Sequence, residues 1–360
     1  MAPARRMAAA GVAAAVGLIA LLVALLSALP RGSPPDAGTA DGDSPGAVGA
    51  PGGPGAGPAT VRPSVTSPSA PDADAASDYF SPGPYEVHGE IKKKAGEFVT
   101  RVGTWRDSEP TDPVARLAGK GYPANLVTVA EPLLDGSARE ATTTVEYLQY
   151  GGLADASASV IVIARQEQRT DVGHRVRELA LDVRMARTAA GTWEVTAAVV
   201  PPRPPLAPPR PGGPTRLGSA VLENRAIRIP ATGRADIRDR RVDDRILSVI
   251  TELSRTYTLD VDVFVSGHPG VVFPTPRLSN HAVGRAVDIR AINGRLVSAI
   301  PRDDPVLSEF MIAAGRAGAT EVAGPIKIPG RGFLSDEVHQ DHVHLGITPT
   351  EPPAKPTHGR

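Results

Sequence analysis

The chain contains no cysteine, and its acidic and basic side chains balance, with 39 of each among 360 residues. Without cysteine, disulfides, cysteine-ligated zinc and thiol nucleophiles are all excluded. A net charge of zero gives no electrostatic reason to expect nucleic acid as a partner, and we predict none. Catalytic or metal-binding chemistry must therefore rest on histidines, carboxylates and hydroxyl groups.

Large apolar residues are almost lacking in residues 31–77, where Pro, Gly, Ala, Ser, Thr and Asp prevail. Such a segment cannot bury enough apolar surface to offset the entropy lost on ordering, so we predict a disordered tether. A proline-rich run at residues 201–215 favours extended polyproline II and predicts a semi-rigid linker between two folded domains. Residues 351–360 are predicted to be a frayed tail.

Long apolar runs are confined to the N-terminus, where one extends from Met7 to Leu29 behind Arg5 and Arg6. At about 1.5 Å per residue, a helix of this length can cross a hydrocarbon core of about 30 Å. The arginines predict an N-terminus inside the cell and the bulk of the chain outside. We therefore predict that residues 1–30 are a transmembrane signal anchor in the cell membrane. The alternative is a secreted protein, released by cleavage of a signal peptide.

Residues 78–200 show the pattern of a helix followed by an antiparallel sheet. The spacing of an amphipathic helix is kept by Ile91, Ala95, Phe98, Val99 and Val102. Alternating apolar and polar residues predict strands at residues 142–150, 158–165, 175–187 and 192–200. This order resembles cystatin-like and nuclear-transport-factor-2-like cones. The segment carries no catalytic constellation, so we predict an accessory domain that serves as a spacer or in self-association or protein binding.

Two short segments hold a concentration of metal-ligand chemistry. Residues 279–289 read Ser-Asn-His-Ala-Val-Gly-Arg-Ala-Val-Asp-Ile, which puts His281 before a glycine turn and Asp288 in a strand after it. Near the C-terminus, Asp341 precedes His342 and His344, which lie on one face of a second predicted strand because the side-chain period is two. Two imidazoles and one carboxylate suit a tetrahedral zinc that keeps its fourth position for water.

The Ser-x-His-x-x-Gly-Arg-Ala-x-Asp-Ile and Asp-His-x-His-x-Gly motifs resemble those of the zinc D-alanyl-D-alanine peptidases. This group includes the lysostaphin-like (LAS) peptidoglycan peptidases and shares its fold with the Hedgehog signalling domain. The resemblance covers roughly residues 217–348. It implies that His281, Asp288 and His344 bind Zn²⁺. It also implies that Asp341 is the general base, or that His342 takes this role as in some branches.

The chain departs from the pattern of this family in three places. The base position holds Asp341 instead of the usual Glu, and Val343 stands where an aromatic residue often precedes the last ligand. The strand end that often reads Ser-Gly-Tyr-Arg is here Ser-Gly-His-Pro at residues 266–269, so the usual substrate-binding Arg is missing. Arg277 is the nearest replacement, and it could stabilise a substrate carboxylate or the developing oxyanion.

The remaining pattern of residues 216–350 predicts helices at residues 243–257 and from Pro305 onward, with strands at residues 259–266, 320–325 and 342–347. We therefore predict an α+β fold for both domains. The predicted function is a membrane-tethered, extracytoplasmic zinc peptidase that cleaves peptidoglycan stem peptides, as a carboxypeptidase or an endopeptidase. A non-catalytic zinc module that binds the cell wall or a protein is the alternative. A membrane-tethered scaffold that works through residues 78–200 is a third possibility.

Overall fold

The computed structural model describes residues 83–199 and 209–348. The predicted anchor, tether and tail lie outside these residues, as does most of the predicted linker. Within the described ranges, no helix combines the length and apolar character needed to cross a membrane. Residues 83–199, here called the first half, and residues 209–348, the second half, belong to one compact unit. Both halves combine helices with antiparallel strands, which confirms the α+β class.

The first half is a helix packed on a four-stranded antiparallel meander with the order β1-β2-β3-β4. Its helices are α1 (Gly89–Gly103), α2 (Pro113–Gly119) and α3 (Val127–Ala130). Its strands are β1 (Ala138–Ala154), β2 (Ser157–Thr170), β3 (Gly173–Arg187) and β4 (Trp193–Val199). The predicted apolar stripe of α1 is fully buried against one face of this sheet. The strands lie where the alternation predicts them, and β1 and β2 extend further at both ends.

The second half is built around a mixed sheet, seven-stranded in the described residues, whose main path is β10-β9-β11-β7-β6-β5. Its helices are α4 (Arg216–Glu223), α5 (Ala231–Arg238), α6 (Asp244–Leu253) and α7 (Pro305–Arg316). Its longer strands are β6 (Leu259–Val263), β7 (Ala286–Ile292), β9 (Glu321–Ala323) and β11 (Val343–Gly346). The two-residue strands are β5 (Ile227–Arg228), β8 (Arg295–Leu296) and β10 (Phe333–Leu334).

Local sequence fixes several of these boundaries. The side chains of Asp243 and Asp304 accept hydrogen bonds from main-chain N–H groups of the first turns of α6 and α7. Strand β6 ends three residues earlier than its apolar pattern predicts. The reason is that the main-chain N–H groups of Val265 and Ser266 donate to the buried Asp236 carboxylate and not to a neighbouring strand. Helices α2, α4 and α5 are short and were not predicted.

The outer face of the first sheet, opposite α1, packs on the second half. There Ile161, Ile163 and Ala180 of β2 and β3 form one apolar cluster with Val263 of β6. Gly267 follows β6 with φ +92°, and a Cβ atom at this position would lie 2.9 Å from the Cβ of Ala180. The two halves therefore approach each other at van der Waals distance beside the end of β6.

Candidate metal centre

Strands β7 and β11 place two of the predicted ligands side by side. They pair in antiparallel fashion with His344 opposite Asp288. His281 comes from a 3₁₀ turn, His281–Val283, that ends at Gly284 with φ +74°. A Cβ atom on Gly284 would lie 1.8 Å from the carbonyl oxygen of Arg241, so only glycine fits this turn. The turn thus returns the chain into β7 with His281 next to Asp288.

The three side chains converge on one point. The distances are 3.2 Å between His281 Nε2 and Asp288 Oδ1, 3.1 Å between His281 Nε2 and His344 Nδ1, and 3.0 Å between His344 Nδ1 and Asp288 Oδ1. In a tetrahedral site with metal–ligand distances of about 2.0–2.1 Å, neighbouring ligand atoms lie about 3.3 Å apart. The observed triangle therefore has the size of one face of such a site.

Two corners of this triangle, His281 and Asp288, are held by outer hydrogen bonds. His281 Nδ1 donates to the carbonyl oxygen of Phe264 at 2.6 Å, which leaves the lone pair on Nε2 directed at the other two residues. The second carboxylate oxygen of Asp288 accepts a 2.6 Å hydrogen bond from Gln149 Nε2, which reaches across from β1. Burial alone would raise the pKa of Asp288, but the adjacent His281 and His342 hold it well below its usual value. The centre thus keeps an ionised carboxylate beside two imidazoles.

A fourth residue, His268, joins this cluster. Its ring stacks on that of His281 with 4.0 Å between centroids and 8° between planes, and its Nδ1 donates to the carbonyl oxygen of Pro269. His268, His281 and Asp288 offer ligand atoms within 4.8 Å of one another and could bind a metal ion. Enclosure of the His268 ring lowers its pKa well below the usual value, so it is neutral and has a free lone pair. A cluster that could bind a metal ion therefore lies where the sequence predicts one, and it contains two of the three predicted ligands, His281 and Asp288.

Asp341 and His342 form a hydrogen-bonded pair beside the cluster. His342 Nδ1 donates to Asp341 Oδ1 at 2.5 Å, while His342 Nε2 lies 3.8 Å from Asp288 Oδ1. Burial lowers the pKa of His342, but the carboxylates of Asp288 and Asp341 outweigh this and raise it. Burial raises the pKa of Asp341, but Lys92 and His342 bring it down to about 2. Of the two residues, His342 is the one whose free nitrogen faces the centre.

The second oxygen of Asp341 is occupied from the first half. It accepts hydrogen bonds from Lys92 Nζ on α1 and, at 3.3 Å, from the main-chain N–H of Tyr150 on β1. Lys92 is fully buried and is also paired with Glu86. Desolvation lowers the pKa of Lys92, against the effect of Asp341. In this arrangement both oxygens of Asp341 accept hydrogen bonds, Oδ1 from His342 and Oδ2 from Lys92 and the main chain of Tyr150.

Three other residues singled out in the sequence lie around the cluster. Ser279 Oγ accepts from the main-chain N–H of His281, and His339 packs beside His342 with 5.1 Å between ring centroids. Arg277 is exposed on the loop between β6 and the His281 turn, and no contact among the described residues links its side chain to the cluster. The structure therefore brings together the histidines and carboxylates, and leaves Arg277 outside.

Sequence reasoning missed Lys92, Gln149 and His268 as parts of this centre. The only signal for His268 was its place in the altered Ser-Gly-His-Pro segment; Lys92 and Gln149 lie 249 and 139 positions from their partners and gave none. Comparison with known proteins found no matching family model, no matching curated protein and no matching solved structure.

Proposed function

We propose that the second half is a zinc-dependent peptidase that acts on peptidoglycan stem peptides, as the resemblance to the zinc D-alanyl-D-alanine peptidases implies. The observation that carries this proposal is the triangle of His281 Nε2, Asp288 Oδ1 and His344 Nδ1, with edges of 3.0–3.2 Å. Its donor set of two nitrogens and one oxygen is typical of catalytic zinc, where the fourth position holds water. The proposed anchor and tether would then carry this activity outside the cell membrane.

Ring orientation favours His344 over His268 as the third ligand. Imidazole lone pairs lie in the plane of the ring, so two rings only 8° from parallel cannot both direct them at one ion between them. The rings of His281 and His344 are inclined by 56°, which lets their lone pairs converge. We therefore propose that His268 supports His281 by stacking, and that His281, Asp288 and His344 bind the zinc.

Zinc at this centre would lower the pKa of a bound water toward neutrality and polarise the scissile carbonyl. Among the residues of the chain, His342 is best placed to accept the proton of that water and deliver it to the leaving amine. Asp341 holds His342 by the hydrogen bond to Nδ1, which fixes the tautomer of the neutral ring that carries its lone pair on Nε2, the nitrogen on the side of the centre. We thus propose His342 as the base and Asp341 as its positioning residue. Arg277 stays a proposed contact for a substrate carboxylate.

The test is the zinc content of the purified full chain, together with mass spectrometry of muropeptides incubated with it. We expect about one zinc per chain and cleavage of one type of peptide bond. His344→Ala should lose both. His174→Ala is the matched control, because His174 is exposed on the first half, and it should keep both. A chain that binds no zinc would contradict the proposal.

Burial of the centre favours a second candidate, the non-catalytic zinc module. His281 and Asp288 are 0% and 1% exposed, and His344 is 8% exposed, as expected of a structural metal site. This candidate predicts stoichiometric zinc without cleavage of any muropeptide. His342→Gln should then leave every property of the protein unchanged except local packing.

A further inference from the structure

The first half closes the metal centre. His281, Asp288 and His342 are at most 2% exposed, and much of what covers them comes from β1 and α1. A peptide substrate must place its carbonyl oxygen at the metal and its amide nitrogen near the base. The docked first half contributes Gln149 and Lys92 to this enclosure, through their hydrogen bonds to Asp288 and Asp341. We expect a substrate to reach the centre more readily when the first half has moved away.

Gln149 is a residue of the first half that contacts a proposed metal ligand directly. Its side chain is 1% exposed and its Nε2 is hydrogen-bonded to the ligand Asp288. Its Oε1 is buried and has no hydrogen-bond partner among the described residues. An unpaired buried carbonyl costs free energy that a purely structural side chain would avoid. The Gln149 amide thus holds a buried position beside Asp288 with one of its hydrogen-bonding groups unused.

A second contact ties the first half to the proposed catalytic pair. Lys92 and the N–H of Tyr150 donate to the oxygen of Asp341 that His342 leaves free. Tyr150 lies on β1, which is the edge strand of its sheet, so Asp341 and the turn before it cover an otherwise open edge. Asp341 is therefore both the residue that positions His342 and an attachment point for the first half.

Contacts away from the metal hold the two halves together. Glu178 on β3 accepts hydrogen bonds from the main-chain N–H groups of Ala231 and Thr232, the first residues of α5. A carboxylate at a helix N-terminus is stabilised by the helix dipole, and a cation there is destabilised. Glu178 thus offers a way to weaken docking without changing any residue of the centre.

We propose that the first half is an inhibitory cap, which keeps the enzyme inactive until it is lifted from the metal centre. This inference rests on the proposed peptidase function, because the cap is proposed to exclude a peptide substrate. Lifting it frees Asp288 from Gln149 and Asp341 from Lys92, and opens the centre to substrate.

The experiment compares Glu178→Lys with wild type in the full chain loaded with zinc. Glu194→Lys is the matched control, since Glu194 is an exposed residue of β4 in the same sheet. The first readout is the rate at which EDTA removes zinc, and the second is the rate of muropeptide cleavage. We expect both rates to rise about tenfold in Glu178→Lys, which corresponds to ~1.4 kcal/mol of docking free energy, and to stay unchanged in Glu194→Lys. Equal removal rates in the two variants would overturn the cap.

The readouts separate this inference from the proposed function. Faster zinc removal in Glu178→Lys without any cleavage would support a first half that covers the metal centre, and it would reject the proposed peptidase activity. If the chain binds no zinc, hydrogen exchange at the Tyr150 amide replaces zinc removal, because that N–H is held by Asp341 only while the cap is docked. Faster exchange in Glu178→Lys than in Glu194→Lys would support a movable first half, and equal exchange would reject it.

Discussion

Lys92 of the first half and Asp341 of the second form a buried ion pair, 249 positions apart in sequence, next to the metal centre. Both side chains are buried, so Lys92 is compensated by Asp341 and Glu86, and Asp341 by Lys92 together with the hydrogen bonds from His342 and the Tyr150 N–H. This contact links the packing of the two halves to Asp341, the residue that is hydrogen-bonded to the proposed base His342.

Lys92→Met should therefore destabilise the protein strongly. The change leaves two buried carboxylates without a cation, a loss that typically costs about 3–5 kcal/mol. Chemical denaturation measures it as a fall in the free energy of unfolding. Lys93→Met is the control, because Lys93 is the next residue of the same helix and is exposed. Equal stability of the two variants would show that the pair contributes nothing.

Gly284→Ala should disrupt the turn that carries His281. The added Cβ would lie 1.8 Å from the Arg241 carbonyl oxygen, so the turn must move and zinc binding should be lost. Gly294→Ala is matched in backbone conformation, with the same φ of +74°, but its Cβ meets no atom within 4 Å. Gly294→Ala should lower the free energy of unfolding by only about 1–2 kcal/mol, the strain of a left-handed alanine, and this variant should still bind zinc. Zinc content and thermal unfolding of both variants provide the measurement.

Replacement of the catalytic pair should distinguish its two members. His342→Gln removes the proposed base and should lower the cleavage rate by about 10²–10⁴-fold with zinc retained. Asp341→Asn should have a smaller effect, because the asparagine can still accept a hydrogen bond from His342 Nδ1. Steady-state cleavage rates and zinc content check both variants. A larger loss in Asp341→Asn would return the role of base to Asp341.

Asp262 should make stability depend on pH. Its side chain lies 3.1 Å from Arg290, yet burial outweighs this partner and raises the pKa of Asp262 to about 7. Because the folded-state pKa lies above the unfolded one, the stabilisation is complete below about pH 4 and is lost as the pH rises through about 7, by roughly 4 kcal/mol at most. Urea denaturation at pH 5 and pH 8 should show this loss in wild type and not in Asp262→Asn. Asp171→Asn, at an exposed position, should behave as wild type.

Chelation should lower thermal stability if zinc is bound. A ligand present at a hundred times its dissociation constant stabilises the folded state by about 2.7 kcal/mol. EDTA should therefore lower the melting temperature of wild type and of His174→Ala, and leave His344→Ala unaffected. A wild-type melting temperature that is the same with and without EDTA would argue against a bound metal in the folded protein.

The order of elements was predictable where local rules decide it. The apolar stripe of α1, the aspartate caps of α6 and α7, and the alternation in β1 to β4 are properties of neighbouring residues. The short helices α2, α4 and α5 escaped prediction because each has only seven or eight residues, fewer than the roughly 11–18 residues over which a helical period can be recognised. Strand β6 ends earlier than predicted because the main-chain N–H groups of Val265 and Ser266 donate to the carboxylate of Asp236, which is distant in sequence.

The sequence by itself determined which residues carry ligand chemistry. His281 and Asp288 flank Gly284, which indicates a tight turn, and His342 and His344 follow the period of a strand. Both pairs can therefore be recognised from residues that are close in sequence. Only the tertiary structure decided what surrounds them. Lys92 and Gln149 reach the centre because the outer face of one sheet docks on the other half, and long-range packing of this kind depends on shape and burial, which leave no local pattern in the sequence.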